Sequence, residues 1–182
     1  MPSEPGCAVL FTDAARSYHT GFGGFSTEIH PNGVKVMPML EGAWPSKYLE
    51  MLRTNEISMP AGELFGLACL AVALTEFAPG SITHMICFTD STGAKSAINS
   101  GGSGAPQLDA IVEWLHSKIG KIQILAIHQP GKRNRAADFI SRGRKSVIRR
   151  EAEQSGFAVL DLPWPQGSLD LLHLVASFPV KK

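Results

Sequence analysis

Four carboxylates lie in, or directly after, four separate predicted elements. Asp13 and Asp90 each come directly after a Phe-Thr pair that closes a short apolar run. Glu63 lies in the predicted first turn of an apolar helix, on a face otherwise made of leucines, and a carboxylate there needs a cation or a donor. Asp138 lies in a basic helical segment. Hard oxygen ligands from separate elements suit Mg²⁺ or Mn²⁺ and suit zinc poorly. The residues therefore predict a pair of divalent ions, the arrangement that promotes in-line displacement at phosphorus.

Each acid also has a simpler interpretation when it is taken alone. Asp13 and Asp90 could cap turns or helices, and Glu63 could be a charge that the helix dipole favours. Asp138 could form an ion pair with Arg142, four residues further along a helix. The coincidence of four acids in suitable elements favours a single metal site over these four separate explanations.

The charge of the chain is balanced as a whole and uneven along its length. The chain has 17 basic and 16 acidic residues, a net charge of +1. The segment 132–150 has a net charge of +7, so the remainder has −6. Such a segment predicts a surface that binds a polyanion, with a solvated helix face as the alternative.

Composition excludes several classes of protein. With 44% hydrophobic residues, the chain has the material for a packed core and is not a disordered chain. Its longest apolar run, residues 64–74, falls short of the roughly 20 residues that span a bilayer, so no membrane association is expected. Three widely spaced cysteines and the absence of a visible secretory signal predict an intracellular protein of the cytoplasm or nucleus.

The order of predicted elements is β-β-β-α-β-α-α-β-α, which indicates an α/β protein with a mixed sheet. The strands are predicted over residues 7–12, 21–26, 34–39, 82–89 and 121–127, with a turn at 31–33. The helices are predicted over 61–77, 91–99, 106–119 and 133–150, the last with an interruption at Gly143. Residues 40–57 have no clear period, and we expect Trp44 and Tyr48 there to cover the core or to form a partner surface.

The end of the chain carries less information. We assign residues 1–143 to the main domain and residues 144–182 to a C-terminal extension. A strand over 157–162 and a helix over 168–178 are expected in the extension, which either packs on the domain or links it to a neighbouring one.

Four segments together resemble ribonuclease H. They are FTDAA…GFGGF, AGELFGLACLA, ICFTDSTGAKSAINSG and AIHQPGKRNRAADFISR. They are most similar to the ribonuclease H domain of retroelement reverse transcriptases, over residues 7–142. The resemblance implies a ribonuclease H-like sheet of five strands, three antiparallel and then two parallel, with helices on both faces. It places the four acids of the family on Asp13, Glu63, Asp90 and Asp138, its histidine on His128 and its asparagine on Asn134.

The implied activity is hydrolysis of the RNA strand of RNA/DNA hybrids with two Mg²⁺ ions, for which Mn²⁺ can substitute. Asp13 would contact both ions, Asp138 one of them, and Glu63 with Asp90 the other. His128 would assist proton transfer or product release, and the products would carry 5′-phosphate and 3′-hydroxyl ends. We expect six residues to contact the hybrid, namely Ser91, Asn99, Lys132, Arg133, Asn134 and Arg135.

Partners and alternatives follow from the same resemblance. A polymerase domain of the same polyprotein is a second expected partner. The alternatives are a ribonuclease H-like module that binds nucleic acid or protein without catalysis, and a DNA nuclease of the same fold.

Overall fold

The computed structural model describes residues 6–17, 20–29 and 33–180, and for Glu28 and Ile29 only the backbone. Pro31 and Asn32 of the predicted turn lie outside these residues. Within the described residues there are seven strands, β1 (Cys7–Ala14), β2 (Gly21–Ser26), β3 (Glu28–Ile29), β4 (Lys35–Ala43), β5 (His84–Thr89), β6 (Gln123–His128) and β7 (Phe157–Asp161). The helices there are α1 (Ser46–Arg53), α2 (Met59–Phe77), α3 (Thr92–Ser100), α4 (Pro106–Ile119), α5 (Arg135–Ser141), α6 (Lys145–Gln154) and α7 (Ser168–Ser177).

The strands form one mixed sheet in the order β3-β4-β2-β1-β5-β6, with β7 paired to β4 outside this path. β4, β2 and β1 are antiparallel neighbours, and β5 and β6 continue the sheet parallel to β1. The predicted fold class, with three antiparallel strands followed by two parallel ones, is confirmed. The predicted number of five strands is too low, because the two-residue β3 and the C-terminal β7 also pair with β4.

Helices cover both faces of the sheet. One core lies between the sheet and a layer that contains α2, α3, α4 and α7, and α2 is buried nearly all round within it. A smaller core lies on the opposite face, where α5 and α6 place Ile140 and Ile148 against Phe25 and Met39. Because α2 is buried nearly all round, its sequence has no amphipathic pattern. The helix α6 buries one side only and has such a pattern.

The helix α2 is long and apolar enough, by length and composition, to cross a membrane. Its most apolar stretch is 78% buried inside the protein, against the sheet and α4. This burial in the core accounts for its apolar composition. Ser58 caps the helix by accepting a hydrogen bond from the Ala61 N–H, so the helix starts at Met59. Glu63 is therefore in the second turn and not in the first as predicted, because the helix begins two residues earlier than residue 61.

The segment 40–57, which has no sequence period, is ordered by its aromatic residues. β4 runs on to Ala43, and α1 follows directly. Trp44 is buried, its ring lies 4.9 Å from that of Phe22, and its Nε1 donates to the Ala15 carbonyl at 2.8 Å. Trp44 thus covers the core, the first of the two roles expected for this segment.

The basic helix predicted over 133–150 is two helices. A single turn of 3-10 helix (Gly131–Arg133) precedes α5, and α6 follows after Gly143, which has a φ of 72°. That left-handed conformation suits glycine and ends α5 at the predicted interruption. Residues after 144 then contribute α6, the sheet strand β7 and α7, whose Leu171, Leu172 and Val175 lie in the larger core.

We expect Gly21→Ala to destabilise the protein by about 3 kcal/mol or more, because added atoms strain a well-packed interior. A Cβ at Gly21 would lie 1.6 Å from the Gly42 carbonyl oxygen, where the backbone of β4 cannot withdraw. At Gly62 a Cβ would lie 3.0 Å from the end of the Leu52 side chain, which can rotate. Gly62→Ala is therefore the control, and equal urea midpoints for the two variants would contradict the expectation.

Candidate metal centre

Three of the predicted carboxylates converge at one end of the sheet. Asp13, Glu63 and Asp90 each offer an oxygen, and these three oxygens lie within 4.8 Å of one another. The register explains the convergence of the two aspartates, since Phe11 of β1 pairs with Phe88 of parallel β5 and each aspartate follows two residues later. Neighbouring parallel strands end at the same edge of a sheet, and sites are built there. Glu63 arrives from α2, which packs across β1.

Burial and mutual repulsion make it unfavourable for these three side chains to be ionised at the same time. The pKa of Asp13 is raised from 3.8 to about 6, chiefly by burial. A hydrogen bond from Ser141 opposes this shift, and the charges of Asp90 and Asp138 add to it. The pKa of Glu63 is raised well above its ordinary value, first by burial and then by Asp13 and Asp90.

A cation is the group that would balance this environment. Glu63 is 7% exposed, and its Oε2 is a buried oxygen without a hydrogen-bond partner among the described residues. An unpaired buried carboxylate oxygen costs free energy unless a donor or a cation meets it. Three carboxylate oxygens, one of them unpartnered, are a donor set that fits a hard divalent ion.

The fourth predicted ligand, Asp138, is turned toward a cationic side chain. Its Oδ1 accepts from Arg142 Nε at 2.8 Å, one turn further along α5 and its continuation. Asp138 lies near enough to raise the pKa of Asp13, but its oxygens are outside the three-carboxylate cluster. The structure therefore shows the i, i+4 ion pair for Asp138 and brings only three of the four acids together.

Three residues that we expect to bind substrate make hydrogen bonds within the protein. Ser91 caps α3 by accepting from the Ala94 N–H at 3.1 Å. Asn99 makes two hydrogen bonds of 2.8 Å with the backbone of Ala126, one as donor and one as acceptor, on the outermost strand β6. Asn134 is 4% exposed and donates to the Thr12 carbonyl at 2.7 Å. Their contact with a substrate stays a prediction.

Three of the expected phosphate-binding cations are exposed. Lys132 and Arg133 lie in the 3-10 turn and make no ion pair with another described residue. Arg135 is paired with both carboxylate oxygens of Glu151, at 3.1 and 3.2 Å. Further along, Lys145 and Arg149 pair with Asp161 of β7. The basic segment is thus partly neutralised by acids outside it, which the sequence count does not show.

His128 is the last residue of β6 and is exposed. It is in register with Thr89, the residue before Asp90, so it lies at the same end of the sheet as the cluster. The chain then turns past the site closely enough that a Cβ on Gly131 would lie 3.1 Å from Asp90 Oδ2. The loop that follows His128 therefore lines one side of the site.

The sequence interpretation assigned no role to Ser141. Its Oγ donates to Asp13 Oδ2 at 2.6 Å, and the side chain is 1% exposed. The signal that could have found it is its spacing, since Ser141 is three residues after Asp138 and so shares the same face of the helix.

Comparison with known proteins identifies the fold class. No protein family and no curated protein matches the sequence. Among solved structures, ribonuclease H1 from the halophilic archaeon Halobacterium salinarum superposes with a TM-score of 0.51 at 13% identity, over 78% of this chain and 99% of that one. The N-terminal ribonuclease H domain of a Mycobacterium tuberculosis protein, solved as a fusion with maltose-binding protein, gives a TM-score of 0.47 at 15% identity, over 80% and 98% of the two chains. The chain has a ribonuclease H-like fold.

We expect Asp13→Asn to stabilise the metal-free protein at pH 7. The folded state raises the pKa of Asp13 from 3.8 to about 6, so stability is lost as pH rises between these values, by about 3 kcal/mol in total. Asparagine avoids this loss. Urea unfolding in EDTA should show the variant above wild type at pH 7, with the difference vanishing near pH 4.

The control for this comparison is Glu113→Gln, at an exposed position of α4. It should leave the pH profile unchanged. A pH-independent difference between Asp13→Asn and wild type would contradict the assignment of the raised pKa to Asp13.

We expect Asn99→Ala to lower the free energy of unfolding by about 1 to 3 kcal/mol, because it leaves both the N–H and the carbonyl of Ala126 unpaired. Ala126 is 1% exposed, so water does not readily replace the lost amide. Urea denaturation measures the effect. An unchanged urea midpoint together with weaker nucleic-acid binding would show that Asn99 contacts substrate and does not stabilise β6.

Proposed function

We propose that this protein is a ribonuclease H, a phosphodiester hydrolase that cleaves the RNA strand of RNA/DNA hybrids. The observation that carries the proposal is the convergence of Asp13, Glu63 and Asp90 on a ribonuclease H-like fold, with a buried and unpartnered Glu63 oxygen. The sequence resemblance independently assigns the same three residues to the family's acidic site.

The cluster would hold divalent cations, with Mg²⁺ the proposed ion and Mn²⁺ a substitute. Asp13, Glu63 and Asp90 are the residues that would hold one ion. Asp13 and Asp138 would hold a second one, for which Asp138 must give up its ion pair with Arg142. Such ions, when bound, supply a hydroxide nucleophile at neutral pH and stabilise the leaving oxygen.

The chain's own groups have separate parts in the proposed reaction. Asp13 would be the central ligand, since it clusters with Glu63 and Asp90 and also lies near enough to Asp138 to be affected by its charge. His128, exposed at the same end of the sheet, would move a proton during cleavage or product release. The products would have 5′-phosphate and 3′-hydroxyl ends.

Substrate binding would depend on the exposed cations next to the site. Lys132 and Arg133 follow Gly131, whose backbone approaches Asp90, so phosphates bound there would lie close to the cluster. Arg135 would contribute after releasing Glu151. Discrimination of a hybrid from duplex DNA would come from its groove shape and its 2′-hydroxyls.

The biological setting is part of the proposal. The resemblance of four segments to retroelement reverse transcriptases supports a ribonuclease H that acts beside a polymerase domain, inside the cell. The short connection between α3 and α4, residues 101–105, is consistent with a domain that has no inserted basic helix.

The test is cleavage of an RNA/DNA hybrid with labelled RNA in Mg²⁺ or Mn²⁺. Wild type should cut the RNA strand alone, and Asp90→Asn should reduce the rate by roughly a hundredfold or more, since metal clamping stabilises the transition state by several kcal/mol. Glu113→Gln should cut like wild type. Cleavage of duplex DNA instead would indicate a DNA nuclease, and hybrid binding without cleavage in either metal would indicate a non-catalytic module.

A further inference from the structure

Ser141 connects the central carboxylate of the site to the helix that carries the fourth acid. Its Oγ lies 2.6 Å from Asp13 Oδ2 and 2.9 Å from the carbonyl oxygen of Asp138. A serine hydroxyl has one hydrogen, so it shares that hydrogen or alternates between the two acceptors. The carboxylate is the closer acceptor, and hydrogen bonds to ionised groups are the stronger kind.

The position of this hydroxyl is determined by how α5 packs on the sheet. Gly23 pairs with Asp13 across β1 and β2, and a Cβ there would lie 2.3 Å from Ile140 Cγ2. The missing side chain lets Ile140 approach the sheet, which brings the next residue, Ser141, to Asp13. At the other end of α5, Asn134 binds the Thr12 carbonyl. The helix is thus hydrogen-bonded to two consecutive residues of β1.

Asp13 needs such a restraint. Repulsion from Glu63 and Asp90 favours rotation of its carboxylate away from the cluster. Among the described residues, Ser141 is the side chain that donates a hydrogen bond to Asp13. With 1% exposure, Ser141 is shielded from water that could replace it as donor.

We propose that Ser141 is a positioning residue that orients the Asp13 carboxylate for divalent-cation binding. It occupies one oxygen of Asp13 and thereby sets the plane in which the carboxylate faces Glu63 and Asp90. Because it belongs to the same turn of α5 as Asp138, it also holds the first and fourth acids at a set separation. This inference rests on the proposed metal site.

Binding of Mn²⁺ measured by calorimetry tests the proposal directly, without turnover. Ser141→Ala should bind Mn²⁺ about tenfold more weakly than wild type, as expected when a hydrogen bond to a charged group is lost. Ser141→Cys, which keeps the shape and a weak donor, should fall between them. In hybrid cleavage, Ser141→Ala should lower kcat with KM unchanged, because the substrate-contacting surface is intact.

The matched control is Ser168→Ala. Ser168 is equally buried, at 2% exposure, and its Oγ donates to the Pro165 carbonyl at 2.7 Å, in α7 and away from the cluster. It loses a buried serine hydrogen bond in the same way and should bind Mn²⁺ like wild type. If Ser141→Ala does not fold, Ser141→Cys carries the comparison.

Two outcomes would overturn the inference, and Asp13→Asn tells them apart. If Asp13→Asn loses Mn²⁺ binding while Ser141→Ala and Ser141→Cys bind like wild type, Ser141 does not position Asp13 and the metal site stands. If Asp13→Asn binds Mn²⁺ like wild type, the proposed metal site itself is wrong, and the role of Ser141 fails with it.

Discussion

Repulsion between three carboxylates held within 4.8 Å is the constraint on which the rest of the site depends. Left to themselves, Asp13, Glu63 and Asp90 would separate or take up protons, and the pKa values of Asp13 and Glu63 are raised first by burial and then by this repulsion. The fold prevents separation by placing two of them at the ends of adjacent parallel strands and the third on a helix buried nearly all round. The free energy that packs α2 into the core therefore also holds Glu63 in an unfavourable place. A divalent cation would relieve this repulsion, which is why the arrangement is suited to binding one.

The helix α5 joins the structural and chemical parts of the molecule. Its apolar side closes the smaller core through Ala137 and Ile140, while Ser141 donates to Asp13 and Asp138 pairs with Arg142. Close packing at Gly23 makes these two functions interdependent, since any shift of the helix on the sheet moves Asp138 relative to Asp13. The ion pair between Asp138 and Arg142 gives the fourth carboxylate a cation of its own, so that the metal-free site has three converging acids and one already compensated.

The basic segment forms ion pairs with acids outside it, a structural role that its composition alone does not show. Arg135 of α5 binds Glu151 of α6, and Lys145 and Arg149 of α6 bind Asp161 of β7, so three of its charges join α5, α6 and β7 to one another. Such exposed pairs contribute little stability each. They do reduce the charge that faces solvent, whereas Lys132 and Arg133, beside Gly131, are exposed and make no ion pair with another described residue.

The sequence by itself determined the order and type of most elements, the three acids at the strand ends and on α2, and the interruption at Gly143. These follow from local patterns, because apolar runs, caps and glycines act over a few residues. It did not determine the start of α2 to the residue, the pairing of β7 with β4, or the roles of Asn99 and Asn134, which fasten backbone groups far away in the chain. The i, i+4 spacing offered the ion pair of Asp138 with Arg142 as one of two alternatives, and only the tertiary structure decided for it. Only the tertiary structure also decided that Ser141 donates to Asp13 and that acids of the C-terminal elements neutralise part of the basic segment. These last contacts join side chains of different elements, and packing sets which of them meet.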